Sequence, residues 1–331
     1  MTPPQQFPRR MFLRTSLGAA AALAIGPALE SLAAEDEKES KEFAEPTTII
    51  DTHTHFYDPS RKEGVPWPPK ENKLLYRTVL PEHYQALPKP HPVAGTVIVE
   101  ASERVEDNQW ILDLAADEPF IVGFVGRLTP GEDGFRRHLN RFAKNRLYRG
   151  IRIRDTIAKA AQSDKQVLRD LRLLADKDLS VDLLGRPDML PDVVKLAELA
   201  PRLRIVIDHI ANLRIDGKTP PESWLNDMRA AADHENVYCK VSALVEGAAG
   251  PGEKATDDVD YYRPVLDALW DRFGADRLIY GSNWPVCARA ADYATVQRIV
   301  ERYFGEKGRG AVDKYFFQNA RSAYKWIDRT G

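Results

Sequence analysis

The chain has 331 residues, 43% of them apolar, and a formal charge of −2 at pH 7. Near-balanced charge, with Lys and Arg scattered rather than gathered into a stripe, gives no electrostatic reason to expect nucleic acid as a partner. Beyond the first segment no stretch approaches the ~18–20 uninterrupted apolar residues that a membrane-spanning helix needs.

The N-terminus reads Arg9-Arg10-Met11-Phe12-Leu13-Arg14, then a mild apolar run from Leu17 to Leu32, with small residues at Ser31, Ala33 and Ala34. A basic head, a short apolar stretch and a small-residue end make an export signal. The adjacent arginines followed by Phe-Leu resemble a twin-arginine signal. Residues 1–34 are therefore expected to be removed, with the cut after Ala33 or Ala34, and the mature protein to be periplasmic or secreted in folded form. Residues 35–46 are charged and lack apolar periodicity, which predicts a flexible leader.

From Thr47 to the end at 331, short β-branched runs alternate with helical patterns. The strands expected are Thr48–His53, Gly95–Glu100, Phe120–Val125, Arg149–Ile153, Ser180–Leu184, Arg204–Asp208, Val237–Val241 and Arg277–Tyr280. The clearest helical stretches are Asp107–Asp117, Ser163–Lys177, Asp188–Ala200, Pro221–His234 and Tyr261–Phe273, each with apolar residues three and four apart. Strands alternating with helices imply right-handed βαβ units and a parallel sheet. Eight units over roughly 280 residues predict an α/β fold, a single-domain TIM (β/α)8 barrel. A doubly wound sheet would need a glycine-rich phosphate turn after its first strand, and none follows His53. The long Pro-rich connection from Phe56 to Ala94 is expected on the catalytic face, where ordered long loops are usually functional. Cys239 and Cys287 read as small buried residues; sequence does not show whether they are close enough to pair.

The strongest local signal is Asp51-Thr52-His53-Thr54-His55. Alternation along a strand sends His53 and His55 to the same side, where two imidazoles can chelate one cation or clamp an oxyanion. Ile207-Asp208-His209 ends a second strand. Alternation there turns Asp208 and His209 opposite ways, His209 joining the first two histidines and Asp208 bracing a neighbour. Tyr280-Gly281-Ser282-Asn283-Trp284-Pro285-Val286 closes the eighth strand, with Asn283 expected at the mouth. Glu100, Arg127, Arg152, Arg154, Arg186, Lys240 and Ser242 follow or end other strands. Polar groups at successive carboxyl ends point to a barrel active site. The arginines favour a carboxylate or an oxygen-rich substrate, because a guanidinium fork offers paired donors.

Taken in order, these motifs resemble the amidohydrolase superfamily, in particular the amidohydrolase-related (amidohydrolase 2) group that includes L-fuconolactonase, L-rhamnonolactonase and 2-pyrone-4,6-dicarboxylate lactonase. The resemblance runs from Ile49 to about Trp326. Besides the motifs above it is carried by Val99-Glu100-Ala101-Ser102, Gly150-Ile151-Arg152, Val181 to Pro187, Cys239-Lys240-Val241-Ser242 and a closing Phe317-Gln318-Asn319-Ala320. It implies a barrel whose strand-one histidines, strand-six histidine and strand-eight acid gather at the mouth, the acid serving as general base. Here Asn283 stands in the position of that acid, and an amide cannot take up a proton near neutral pH. Asn212-Leu213 replaces the Lys-Pro pair common in the lactonase branch, and no histidine lies on strand five.

The resemblance implies a hydrolase that opens a sugar-derived or carboxylated lactone by water attack at the carbonyl. The expected catalytic set is His53, His55, His209, Asn283 and Asp208, with His209 or Asp208 as base. Glu100, Arg152, Arg186, Lys240 and Trp284 are expected to bind substrate. One divalent ion, zinc or manganese, is expected on His53, His55 and His209; part of the group works without metal, and that alternative stays open. A sugar-acid binding protein without turnover and a metal-dependent decarboxylase are the competing readings. The expected partner is a small molecule, a lactone or sugar acid; an oligomer is compatible with the sequence.

Overall fold

The computed structural model describes residues 43–326 together with 328 and 329. The export signal expected over 1–34 and most of the leader expected over 35–46 lie outside the described residues. No helix among the described residues is long and apolar enough to cross a membrane.

Each of the eight expected runs forms a strand: Ile50–Thr54 (β1), Gly95–Val99 (β2), Ile121–Gly126 (β3), Tyr148–Arg154 (β4), Ser180–Leu184 (β5), Arg204–Ile207 (β6), Val237–Val241 (β7) and Leu278–Tyr280 (β8). They pair in parallel in sequence order from β1 to β8. The two edges approach each other: Thr52 Oγ1 donates to the Tyr280 carbonyl at 2.5 Å, and the His55 amide donates to the Trp284 carbonyl at 2.9 Å. The result is a nearly closed TIM barrel. Most strand residues are buried because helices cover one face and the lumen the other, which suits the apolar runs of β2, β3 and β6.

The helices follow the apolar spacing of the sequence. Lys165–Asp176 buries Val167, Leu171 and Leu174, and Asp164 caps it by accepting from the amides of Gln166 and Val167. Val259–Phe273 starts at Asp258, whose side chain accepts from the Asp260 amide, and stops at Gly274, whose φ of 62° suits a residue without Cβ. Shorter helices at Phe135–Phe142, Asp155–Ala160 and Leu244–Ala248 were not expected; each has too few turns to show a period. The connection Phe56–Ala94 folds back through a Tyr57–Val79 bridge and a helical turn at Pro81–Gln85.

One core cluster joins strands to outer helices. A second holds Val97, Val99, Val125, Val206 and Ile279 together with Ala320, Ala323 and Tyr324. The last three belong to the helix Asn319–Tyr324, which covers the amino-terminal end of the barrel. There Arg149 Nε donates to the Tyr324 carbonyl at 2.9 Å and Arg204 Nε to that of Ala323 at 2.6 Å. With one end closed, the opposite end, at the carboxyl termini of the strands, is the open mouth. Cys239 and Cys287 are both buried and unbridged.

Candidate active site

His53, on β1, and His55, one residue beyond it, stack edge to face with ring centroids 5.0 Å apart, and the His209 ring lies 4.2 Å from that of His53. His209 reaches this position by a route that strand alternation does not predict. β6 ends at Ile207, and His209, Ile210, Ala211 and Asn212 all take positive φ, at 56°, 50°, 60° and 49°. Left-handed backbone costs roughly 1–2 kcal/mol per residue without glycine. Burial of Ile210 and Ala211 offsets it, with Trp224 Nε1 donating to the Ile210 carbonyl at 3.2 Å and Asn212 Nδ2 to that of Gly185 at 2.8 Å. The tight turn corrects the expectation that Asp208 and His209 diverge. One ligand atom each from His53, Asp208 and His209 can be chosen so that all lie within 4.8 Å of one another.

Each histidine has its Nδ1 occupied from behind. His55 Nδ1 is 2.8 Å from the Val99 carbonyl, which can only accept, so Nδ1 carries the proton and Nε2 is left as a lone pair. His209 Nδ1 is 2.7 Å from Ser242 Oγ. His53 Nδ1 lies 3.4 Å from Asp208 Oδ1, and its Nε2 is buried without a partner. Such outer partners are what fix the tautomer of metal-bound imidazoles. Burial, with Arg152 adding to it, lowers His55 to about 3, and burial lowers His209 to about 4 against the pull of Asp208. Burial also drives His53 well below its ordinary value, with His209 and Lys240 adding to the effect. All three rings are neutral at pH 7, the state in which imidazole binds a cation.

Beneath the histidines lies a buried ion network. Lys240 Nζ is 2.8 Å from Asp182 Oδ2, 3.1 Å from Asp208 Oδ1 and 3.2 Å from His53 Nδ1. Tyr324, from the closing helix, donates to Asp182 Oδ2 at 2.8 Å. Burial disfavours the Lys240 ammonium, yet the two aspartates raise it above its usual range. Burial likewise works against the Asp208 carboxylate, but Lys240 and His53 hold it well below the usual range. Gly281 lets β8 pass close by: a Cβ there would meet His53 Cβ at 2.8 Å and Lys240 Cδ at 3.2 Å. Asp51 fixes the same crossing by accepting from the amides of His53 and Ser282, at 3.1 and 2.9 Å.

Above the histidines opens a cavity of about 380 Å³ lined by His55, His209, Asn283, Trp67 and Glu100, with Arg127, Arg152 and Arg154 around it. Arg152 is anchored by Glu100, whose Oε1 accepts from Nε at 2.9 Å. A second cavity of about 690 Å³ adjoins it, sharing Arg154, Leu184 and Asn212 and adding Arg186, Arg214 and Glu246. Two expected substrate contacts need correction. Lys240 is fully buried below the histidines, where two aspartates neutralise it, and does not reach the mouth. Trp284 is buried against Phe56 and Tyr84. Arg186 lines the second cavity rather than the first. Sequence reasoning missed Glu246, whose Oε1 accepts from Asn283 Nδ2 at 2.7 Å; it sits on the five-residue helix Leu244–Ala248, which carries no motif.

Four likenesses bear on this geometry. The family model described as Amidohydrolase matches residues 50–326. An L-fucono-1,5-lactonase of Burkholderia ambifaria is 34% identical over 293 residues, covering 86% of this chain and 97% of that protein. A second L-fucono-1,5-lactonase, from Burkholderia multivorans, is 29% identical over 262 residues, covering 77% of this chain and 88% of that one. An amidohydrolase from Burkholderia multivorans, solved with bound zinc, superposes with a TM-score of 0.74 at 26% identity over 85% of this chain and all of that one.

Removing one partner from a buried ion network leaves uncompensated charge, which typically costs about 3–5 kcal/mol. Lys240→Met should therefore lower the free energy of unfolding by about that amount in urea denaturation; an unchanged midpoint would show that the network is not held by the ammonium.

Proposed function

The chain belongs to the amidohydrolase family, and from that premise we propose that it hydrolyses the ester bond of a sugar-derived lactone bearing a carboxylate. The observation that carries this reading is the convergence of His53, His55 and His209 at the foot of a cavity edged by arginines. The two fuconolactonase relatives support the reaction class. Arg127, Arg154 and Arg186, which make no ion pair among the described residues, support an acidic substrate.

The donor set fits a divalent cation. The Val99 carbonyl keeps the His55 proton on Nδ1, so His55 Nε2 cannot donate to an oxyanion, and its bare lone pair would repel one. His53, His209 and Asp208, with His55 beside them, would hold the ion, and neutral imidazole with carboxylate suits zinc or manganese. Such an ion supplies Lewis-acid polarisation of a carbonyl oxygen. Zinc in the Burkholderia multivorans neighbour supports a metal-dependent site. On this reading Arg152, fixed by Glu100, orients a carboxylate or hydroxyl of the substrate. Asn283, which stands where the family pattern has an acid, holds the attacking water by its amide oxygen. Water adds to the carbonyl carbon, the ring C–O bond breaks, and the hydroxy acid leaves. Asp208 is a poor base here, since Lys240 keeps it ionised and it serves to orient His53.

The amide at position 283 also favours a second reading, a sugar-acid binding protein without turnover. Elemental analysis and a lactone panel separate the two. The untagged protein should carry about one equivalent of zinc or manganese and open a carboxylated sugar lactone, and His53→Ala and His209→Ala should lose that activity while remaining folded. Tight calorimetric binding with no turnover at any pH would overturn the hydrolase.

Hydrogen bonds to charged groups contribute roughly 1.5–3 kcal/mol, and about 1.4 kcal/mol is tenfold in affinity. Arg154→Ala or Arg186→Ala should accordingly raise KM for the acidic lactone on the order of tenfold with little change in kcat. An equal effect on a neutral sugar lactone would contradict the carboxylate contact.

We also propose export by the twin-arginine route, supported by Arg9-Arg10-Met11-Phe12-Leu13 ahead of an apolar run. Replacing Arg9 and Arg10 by lysines should retain the full-length precursor in the cytoplasm on cell fractionation. Unaltered appearance of mature protein in the periplasm would count against that route.

A further inference from the structure

Glu246 is the carboxylate at this mouth that no ion pair or substrate contact accounts for. It lies on the helix Leu244–Ala248 just beyond β7, which starts from Ala243 at a φ of 53° and turns the residue back toward the end of β8. Its Oε1 accepts from Asn283 Nδ2 at 2.7 Å. Its Oε2 is sealed from solvent and has no partner, although the residue as a whole is partly exposed. Asn283 lines the histidine cavity and Glu246 the one adjoining it. The other carboxylates around the two cavities are differently placed. Glu100 holds Arg152, Asp155 accepts from the Thr156 amide, and Glu103 is exposed.

We propose that Glu246 accepts the proton of the attacking water, so that the acid which the family pattern sets on strand eight is supplied here from beyond strand seven, with Asn283 holding water and carboxylate together. The inference rests on the lactonase reading. Because the Asn283 amide spends its Nδ2 on Glu246, its Oδ1 is left to accept a hydrogen bond from the water. The water oxygen bonds to the carbonyl carbon and its proton passes to Glu246. When the ring C–O bond breaks, the same proton goes to the departing alkoxide, and Glu246 returns to its starting state.

The electrostatics suit the task. Burial raises the Glu246 carboxyl to about 7, against the hydrogen bonds it accepts from its own amide and from Asn283. Arg289 pulls it down, while Tyr262 and Cys287, which face it from neighbouring elements, stay uncharged because burial raises both. A general base works best with a pKa near the operating pH.

The test exchanges acid and amide in two steps, read by pH-dependent kinetics on a lactone the wild type opens. Glu246→Gln keeps an acceptor for the Asn283 amide but cannot take a proton. It should keep KM and metal content, lose kcat by about 10²–10⁴-fold, and lose the acid limb near neutral pH. Adding Asn283→Asp to that variant swaps acid and amide and should restore kcat at least tenfold. A Glu246→Gln enzyme within threefold of wild type, or a loss that Asn283→Asp does not rescue, overturns the proposal. Should the wild type open no lactone, the hydrolase reading itself fails. Carbon NMR of labelled glutamate then decides the carboxyl: titration near neutrality that vanishes in Glu246→Gln supports a proton acceptor at this position, and titration in the ordinary carboxylate range refutes it.

Discussion

The site depends on one buried cation. Lys240 brings an ammonium into the barrel where no water reaches it, and it is tolerable there only because Asp182 and Asp208 stand 2.8 and 3.1 Å away. The network spans four strands, since Asp182 is on β5, Asp208 follows β6, Lys240 is on β7 and His53 on β1. Tyr324 extends it to the helix that plugs the far end. The arrangement holds Asp208 ionised and, with the Lys240 ammonium 3.2 Å from His53 Nδ1, contacts that ring at Nδ1 and leaves Nε2 without a protein partner. The charge chemistry below the mouth thereby sets which atom His53 offers to whatever binds above.

The second constraint is backbone. Four consecutive left-handed residues after β6 bring Asp208 and His209 onto one site, where a continuing strand would separate them. Residues held in sparsely populated conformations persist only when their surroundings over-determine them. Here the Trp224 and Asn212 hydrogen bonds and the burial of Ile210 and Ala211 do so. The strain yields geometry, three imidazoles whose outer nitrogens are tied to Asp208, Val99 and Ser242.

The barrel was legible in the sequence because parallel strands buried on both faces read as short β-branched runs, and their order needed no further information. His53 and His55 were legible for a similar reason, since a period of two sends both to one side. The direction of His209 was not, because alternation stops where the chain turns left-handed and no glycine marks the turn. The buried depth of Lys240 was not legible, since sequence gives the side of a strand but not the depth along the barrel. Glu246 escaped because its helix has only five residues and its partner, Asn283, is 37 positions away. The fold follows from local pattern, while the site is made by contacts between distant strand ends.

Burial holds all three imidazoles neutral, and the Val99 carbonyl fixes the His55 proton on Nδ1. Nitrogen NMR of the metal-free protein with labelled histidine side chains tests this most directly. His53, His55 and His209 should each carry a single proton across about pH 6–8, around the range where free imidazole titrates, with that of His55 on Nδ1. A ring that is doubly protonated there, or a His55 proton on Nε2, would contradict this.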